Sequence, residues 1–312
     1  MNAATRALSR RPSATRRTTG TFACGASAES APSMSHATSN SQSPRGLVAV
    51  ILAAGKGTRM QSDLPKVMHP VMGRPMVHWV VDAARAAGAT KIVLVIGHGA
   101  ELVRAEFAGA ADVEFALQEK QLGTGHAVMM AQPNLASCAD STDAFVLCGD
   151  GPLIRAETLA TLLALHRREQ AAATLATSVI GNPQGYGRIV RDGSGRLERI
   201  VEQKDASESE RAIREINPSY YCFHTAALFG ALAQVGNKNA SGEYYITDVF
   251  GILRGQGRTV AAVDAVPPED VLSINDPAQL AEVDAILRAR HAGQGTLPGA
   301  GATGSTLHGG AR

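Results

Sequence analysis

The sequence predicts an α/β fold: a Rossmann-like, mixed but mostly parallel sheet with helices on both faces. Three observations carry that expectation. Apolar runs of strand length alternate with segments of helical period from residue 47 onward. The runs are nearly continuous in apolar residues, as strands buried on both faces are. Aromatics form only 4% of a chain that is 45% hydrophobic, so Ala, Val, Leu and Ile must fill the interior. With 312 residues, a sizeable core is within reach.

The elements follow in order. Val48–Leu52 reads as the first strand, and Met76–Ala87 as a helix with Met76, Val77, Val80, Val81 and Ala84 on one face. Strands at Ile92–Ile96, Val113–Leu117 and Phe145–Cys148 alternate with helices at Glu101–Phe107, Gly125–Gln132 and Glu157–His166. After a strand-like Thr174–Ile180 the texture changes. GYGRIVRDGSGRLERIVEQKD reads as a hairpin: Arg188–Arg191, a turn at Asp192–Gly195, then Leu197–Val201. Ile216–Phe223 is expected to extend that hairpin. A helix at Tyr244–Arg254, a strand at Thr259–Val263 and a helix at Pro277–Arg290 complete the body. The expected domain is therefore 47–290. A disordered basic extension, 1–46, precedes it, and a Gly-rich flexible tail, 291–312, follows with seven glycines.

Charge narrows the function classes. Residues 1–46 carry six arginines against Glu29, for a net +5, which leaves 47–290 at −4 although the chain totals +2. An acidic body is no nucleic-acid signature. The apolar run Leu47–Ala54 is far short of a membrane span. Neither nucleic acid nor membrane is an expected partner. Cys24, Cys138, Cys148 and Cys222 form no C-x-x-C pair, which points to a reduced, cytoplasmic compartment. Cys148, at the end of a strand, is expected to be a buried small hydrophobe.

Three segments carry chemistry. LAAGKGTRM follows the first strand but matches neither the P-loop nor the dinucleotide fingerprint, so a plain tight turn competes with phosphate binding. Downstream, SDLPKVM adds Lys66, and Gly55, Gly57, Thr58, Arg59 and Lys66 together offer N–H donors and positive charge to a polyphosphate. In LQEKQLGTGHA, the amides of Gln118 and Gln121 precede a Gly123-Thr124-Gly125 loop, and amides can read the edge of a base. His126, one residue inside the helix, reads as capping or packing. In VLCGDGPLI, Asp150 at a strand end is either a turn aspartate or a ligand to a hard cation such as magnesium.

Taken in order, L-x-A-G-x-G-T-R-M with L-P-K, Q-L-G-T-G-H-A, G-D-x-P-L, G-Y-G-R-I, V-E-x-K-D, E-I-N and G-E-Y-Y-I-T-D resemble the sugar-phosphate nucleotidyltransferases. Within them the likeness is to the uridylyltransferase domain of the bacterial bifunctional enzymes that make UDP-N-acetylglucosamine. It implies a nucleotide half over 47–180 and a sugar-binding half over 181–290. Leu52, Ala53, Gly55, Arg59 and Lys66 would hold the nucleotide and its triphosphate, with Arg59 and Lys66 catalytic. Gln118, Gln121, Gly123 and Thr124 would recognise uracil and ribose. Asp150 and Asn275 would bind Mg2+, and Gly187, Glu202, Asn217 and Thr247 would hold N-acetylglucosamine 1-phosphate. Two bland readings stand beside these: Glu202 as an exposed partner of Lys204, and Asn275 as the cap of the helix from Pro277.

The implied reaction is transfer of UMP from UTP to the sugar phosphate with release of pyrophosphate. The same chemistry on another sugar 1-phosphate, or a non-catalytic sugar-nucleotide-binding subunit, are the alternatives. The sequence departs from the family at Gly151, where an apolar residue or Thr is usual. It departs again at Pro218-Ser219, where Thr-Gly or Ser-Gly usually follows the asparagine. The family's left-handed β-helix acetyltransferase domain would begin near residue 290, where this sequence has its Gly-rich tail. A separate acetyltransferase is therefore carried as a candidate partner.

Overall fold

The computed structural model describes residues 45–293. The expected extension before Arg45 and the tail beyond Gly293 lie outside the described residues, as does Cys24. In chain order the elements are β1 Gly46–Ala53, the short strands β2 Pro70–Val71 and β3 Arg74–Pro75, α1 Met76–Ala86, β4 Lys91–Ile96, α2 Ala100–Glu106 and β5 Val113–Leu117. Next come α3 Thr124–Met130, α4 Gln132–Leu135, β6 Thr142–Cys148, α5 Ala156–Arg168, β7 Ala173–Val179, β8 Gly187–Arg191, β9 Leu197–Val201 and α6 Glu208–Arg211. The chain continues through β10 Glu215–His224, α7 Thr225–Leu232, α8 Asp248–Gly255, β11 Val260–Asp264 and α9 Pro277–Gly293.

The main sheet runs β11-β7-β10-β6-β1-β4-β5, with the β8–β9 hairpin attached through β8 to β10. β1 pairs in parallel with β4 and β6, β4 with β5, and β11 with β7. β10 runs antiparallel between β6 and β7. The sheet is thus mixed and mostly parallel.

Alternation within each strand separates two cores. Leu47, Ala49, Ile51 and Ala53 of β1 pack with Met76, Val77 and Val80 of α1, Leu159 and Leu162 of α5, and Val283 and Leu287 of α9. Val48 and Val50 face the other way, onto Ala127 and Val128 of α3, Leu228 of α7, and Val249, Phe250 and Leu253 of α8. Both faces of the central strands are buried, which is why their sequences are apolar at consecutive positions.

Four expectations change. The strand at 216–223 does not merely extend the hairpin: it is a central strand, touching β8 only through Ile216 and Asn217. The helix expected from Tyr244 begins at Asp248. The backbone of Tyr244 is already spent, its N–H donating to Leu122 O (2.9 Å) and its carbonyl accepting from Gly125 N (2.7 Å). The helix expected over 125–132 ends at Met130, and Pro133 sits in the first turn of a separate short helix, where its missing N–H is harmless. Helix α7 was not anticipated, because TAALFGAL is apolar all round and shows no period.

One charge is fully buried in the β6 wall. Asp143 is 0% exposed and accepts from Arg45 Nε at 2.7 Å and Arg167 Nε at 3.0 Å, with His166 Nε2 at 3.5 Å. Burial alone would raise its pKa, but the His166 and Arg167 contacts and the Arg45 charge outweigh it and hold the carboxyl below its usual range. A carboxylate held low in the native state stabilises above its ordinary pKa and loses that contribution as pH falls toward the native value. Melting temperature should therefore fall on acidification below about pH 4. Thermal scans across pH should show a shallower acid limb for Asp143→Asn than for the native chain; identical limbs would remove Asp143 from the account.

Candidate active site

The carboxyl ends of β1, β4 and β6 are adjacent, and their loops meet there. Gly149 N donates to Leu52 O (2.9 Å) and His98 N to Ala54 O (3.3 Å), tying the three loops together. Gly57 adopts φ +64°, and a Cβ there would meet Lys66 Cβ at 2.7 Å. This glycine lets the loop lie directly against the lysine.

Two cavities open side by side over this edge. The first, about 260 Å³, is walled by Leu52, Gly55, Lys66, Gln118, Gln121, Gly123, Thr124 and Glu243. The second, about 480 Å³, is walled by Arg59, Gly187, Glu202, Asn217, Ser219, Tyr186 and Asn275. Thr124, Cys148 and Asp150 belong to both walls, so the cavities are contiguous across Asp150.

At that junction Lys66 Nζ donates to Asn275 Oδ1 at 2.7 Å and to a carboxylate oxygen of Asp150. Lys66 and Asp150 are separated by 84 residues, and Lys66 and Asn275 by 209. Asp150 is not a turn aspartate whose side chain serves its own backbone. Asn275 is not the cap of α9: Asp276 takes that place by accepting Gln279 N at 2.9 Å.

The Asp150–Asn275 pair fits a magnesium ion. One carboxylate and one amide oxygen converge on a point that already accommodates the cationic nitrogen of Lys66, and both are hard oxygen donors. Among the described residues no cage of three or more His, Cys, Asp or Glu side chains exists. An acid–amide pair suits a cation whose remaining ligands are phosphate and water.

On the first cavity's wall, Gln118 is 3% exposed. Its Nε2 donates to Gly123 O (3.1 Å) and lies 3.0 Å from His126 Nδ1, so Oε1 is the end not engaged by these bonds. His126 therefore orients an amide, beyond the capping or packing expected of it. Gly123 has φ +108°, and a Cβ on it would meet Tyr244 O at 2.6 Å and Glu243 Cβ at 2.8 Å. Gly123→Ala should lower stability by about 1–3 kcal/mol and push the 243–245 segment out of this wall. Urea unfolding midpoints check it, and an unchanged midpoint would show that the close approach is not required.

On the second cavity's wall, Glu202 is half-buried and accepts from Thr247 Oγ1 at 2.9 Å, whereas Lys204 donates to Ser241. The Glu202–Lys204 pairing is thus not formed. Burial raises the Glu202 carboxyl above its usual range, with the charges of Asp248, Asp205 and Glu243 adding to it and the Thr247 bond opposing. Asn217 is 5% exposed, its Nδ2 donating to Tyr221 Oη at 2.7 Å. Pairing of β10 with β7 jumps from Ile216 to Tyr220, so residues 217–219 bulge out of the ladder toward the cavity.

Four of the expected residues do not line either cavity. Ala53 is buried beneath the loop, Gly57 packs on Lys66, Thr58 starts a single 3₁₀ turn, and Thr247, 2% exposed, stands behind Glu202. Cys148 corrects the opposite way. It is half-buried and lies on the wall of both cavities, because the strand ends there and its side chain turns to the loop face. Burial and the nearby Asp150 charge push its thiol up to about 12, so it is a neutral wall group. Tyr186, Ser219 and Gln279 also line the second cavity. The first lies within a motif and the second at a departure from the family pattern; nothing in the sequence marks Gln279.

A mostly parallel sheet thus carries two joined cavities at its carboxyl edge, with Lys66 paired to Asp150 where they meet, the usual place for a ligand in an open α/β sheet. The model of the MobA-like NTP transferase domain matches residues 49–244, and the chain belongs to that family. It is 50% identical over 244 residues to the "Bifunctional protein GlmU" of Pelobacter propionicus, covering 78% of this chain and 53% of that one. It is 53% identical over 242 residues to the protein of the same description from Brevibacillus brevis, covering 78% and 52%. The chain thus spans about half the length of these curated relatives. A solved UDP-glucose pyrophosphorylase complexed with UDP-glucose superposes with a TM-score of 0.65 at 16% identity, over 79% of this chain and 99% of that one, a likeness of fold.

Proposed function

We propose that this domain transfers UMP from UTP to N-acetylglucosamine 1-phosphate, giving UDP-N-acetylglucosamine and pyrophosphate. The observation that carries the reading is the pair of contiguous cavities sharing Asp150, with Lys66 at the junction and Arg59 on the far wall. The smaller cavity takes the nucleotide and the larger the sugar phosphate. Gln118 Oε1 is an acceptor, suited to the imide N–H of uracil. Glu202 faces the sugar with Thr247 holding it, and Asn217 lies in the same wall, bonded to Ser219 and Tyr221.

The sugar phosphate is already an anion, so no residue need deprotonate it. One of its oxygens forms a bond to the α-phosphorus of UTP in line with the bond that breaks, and the electron pair leaves with pyrophosphate. The obstacles are repulsion between two anions and charge growing on the leaving group. Lys66 and Arg59 answer both by neutralising and aligning phosphate oxygens. Asp150 and Asn275 would hold magnesium, which supplies further charge neutralisation on the phosphates.

The described residues contain no helix long and apolar enough to cross a membrane, and we place the enzyme in the cytoplasm, where UTP is available. The test is pyrophosphate release from UTP with a panel of sugar 1-phosphates. N-Acetylglucosamine 1-phosphate should be the best acceptor, and chelation should stop the reaction. Turnover confined to glucose 1-phosphate would change the assigned sugar; no release with any acceptor would favour a non-catalytic binding subunit.

A further inference from the structure

Ser219 is the one residue of the bulged 217–219 segment whose backbone is left-handed, at φ +68°, a conformation that L side chains adopt at a cost. It lines the larger cavity beside Asn217, Tyr221 and Cys148. The hydrogen bonds around it can be counted. Ser219 N–H donates to Asn217 Oδ1 at 3.0 Å, which fixes which end of the amide is which. Asn217 Nδ2 donates to Tyr221 Oη at 2.7 Å, and Tyr221 Oη donates to Ser219 Oγ at 3.4 Å.

Tyr221 has then used its single proton, and Asn217 Oδ1 is engaged. The Ser219 hydroxyl has accepted a bond and still carries a proton of its own. The Cys148 thiol lies within reach of that hydroxyl, but sulfur is a weak acceptor that a ligand oxygen would displace. A donor chain therefore runs from Asn217 through Tyr221 and ends at Ser219 Oγ–H on the cavity wall, each bond polarising the next. Left-handed backbone in a non-glycine residue persists where the surroundings require it, and such positions cluster at ligand sites.

Resting on the reading that this cavity takes a sugar 1-phosphate, we propose that Ser219 is a specificity-determining donor of the site, its hydroxyl hydrogen-bonding an acceptor oxygen of the sugar. Asn217 and Tyr221 act through it. The ligand class is a hexose 1-phosphate presenting a hydroxyl or amide carbonyl oxygen to this wall.

Two variants separate the hydroxyl from the strained backbone. Ser219→Ala removes the donor and keeps the left-handed residue; Ser219→Gly removes both. Each should raise KM for the sugar phosphate by roughly 3- to 10-fold, with KM for UTP and kcat within about twofold. Ser219→Gly should also raise the melting temperature by about 1–4 °C, because glycine adopts this φ freely, while Ser219→Ala should not. Unchanged sugar-phosphate KM in Ser219→Ala, with native turnover intact, overturns this assignment alone. Native protein that turns over no sugar phosphate overturns the reading beneath it as well.

Discussion

Asp150→Ala should lower pyrophosphate release by on the order of 100-fold or more while leaving the melting temperature within a few degrees of native. The aspartate side chain is 22% exposed and packs in neither core. What it holds is the junction of two cavities, with Lys66 donating to it and to Asn275. The backbone carbonyl of Asp150, which accepts Ile274 N at 2.9 Å, survives the substitution, so the Asn275 loop keeps its anchor. On the proposed mechanism Lys66→Ala should cost a similar factor, since it removes charge assigned to the phosphates. Because the two side chains act as one unit, the double variant should lose much less than the product of the single losses. Initial rates at saturating UTP measure all three. Near-native rates in both single variants would end the assignment of this junction to chemistry.

Asp270→Ala should cost about 3–5 kcal/mol of stability, the range for stripping a buried ion pair of one partner. Asp270 is 1% exposed and is held by two arginines: Arg155, whose Nη2 donates at 3.1 Å and whose Nε also donates, and Arg290. These arginines come from the start of α5 and the far part of α9, so one carboxylate ties the two helices together. Its carbonyl adds a bond from Tyr220 Oη at 3.3 Å. Arg155→Ala should cost less, because that side chain is 37% exposed and water can replace part of its environment. Urea titrations with an unchanged slope would assign the loss to the native state. A loss below about 1 kcal/mol would show that the surrounding loop can solvate the arginines.

Legibility followed the range of the interactions. Strands β1, β4, β5 and β6 were readable because burial on both faces writes itself into consecutive residues. Once those strands are parallel, the loops that follow them fall on one edge. The central place of β10 was not readable, since antiparallel pairing with β6 and β7 is a long-range choice that leaves no local mark. Nor was the meeting of Lys66, Asp150 and Asn275: composition and spacing bring no two of them together, and only likeness to a family placed them in one list. Asp143 and Asp270 look in the sequence like ordinary acids; their cost is visible only once burial is known. Ser219 was visible as a departure from pattern, but its left-handed backbone was not.

Because β10 runs against β6, its early residues lie beside the last ones of β6, Tyr220 opposite Leu147. Where that ladder ends, Cys148–Asp150 continue from β6 and Asn217–Ser219 precede it on β10, so their spacing starts from a fixed register. Such a spacing behaves as a ruler with discrete marks. A one-residue slip would carry Tyr220 and Cys222 into the core that now holds Tyr221 and Phe223, and is forbidden by packing. A change in that register therefore comes in whole-residue steps rather than by gradual drift under mutation. On the proposed reading of the larger cavity, room for a bulkier acceptor would come from the 182–186 loop, which lies outside the ladder, whereas the 271–275 loop is pinned through Ile274 N to Asp150 O.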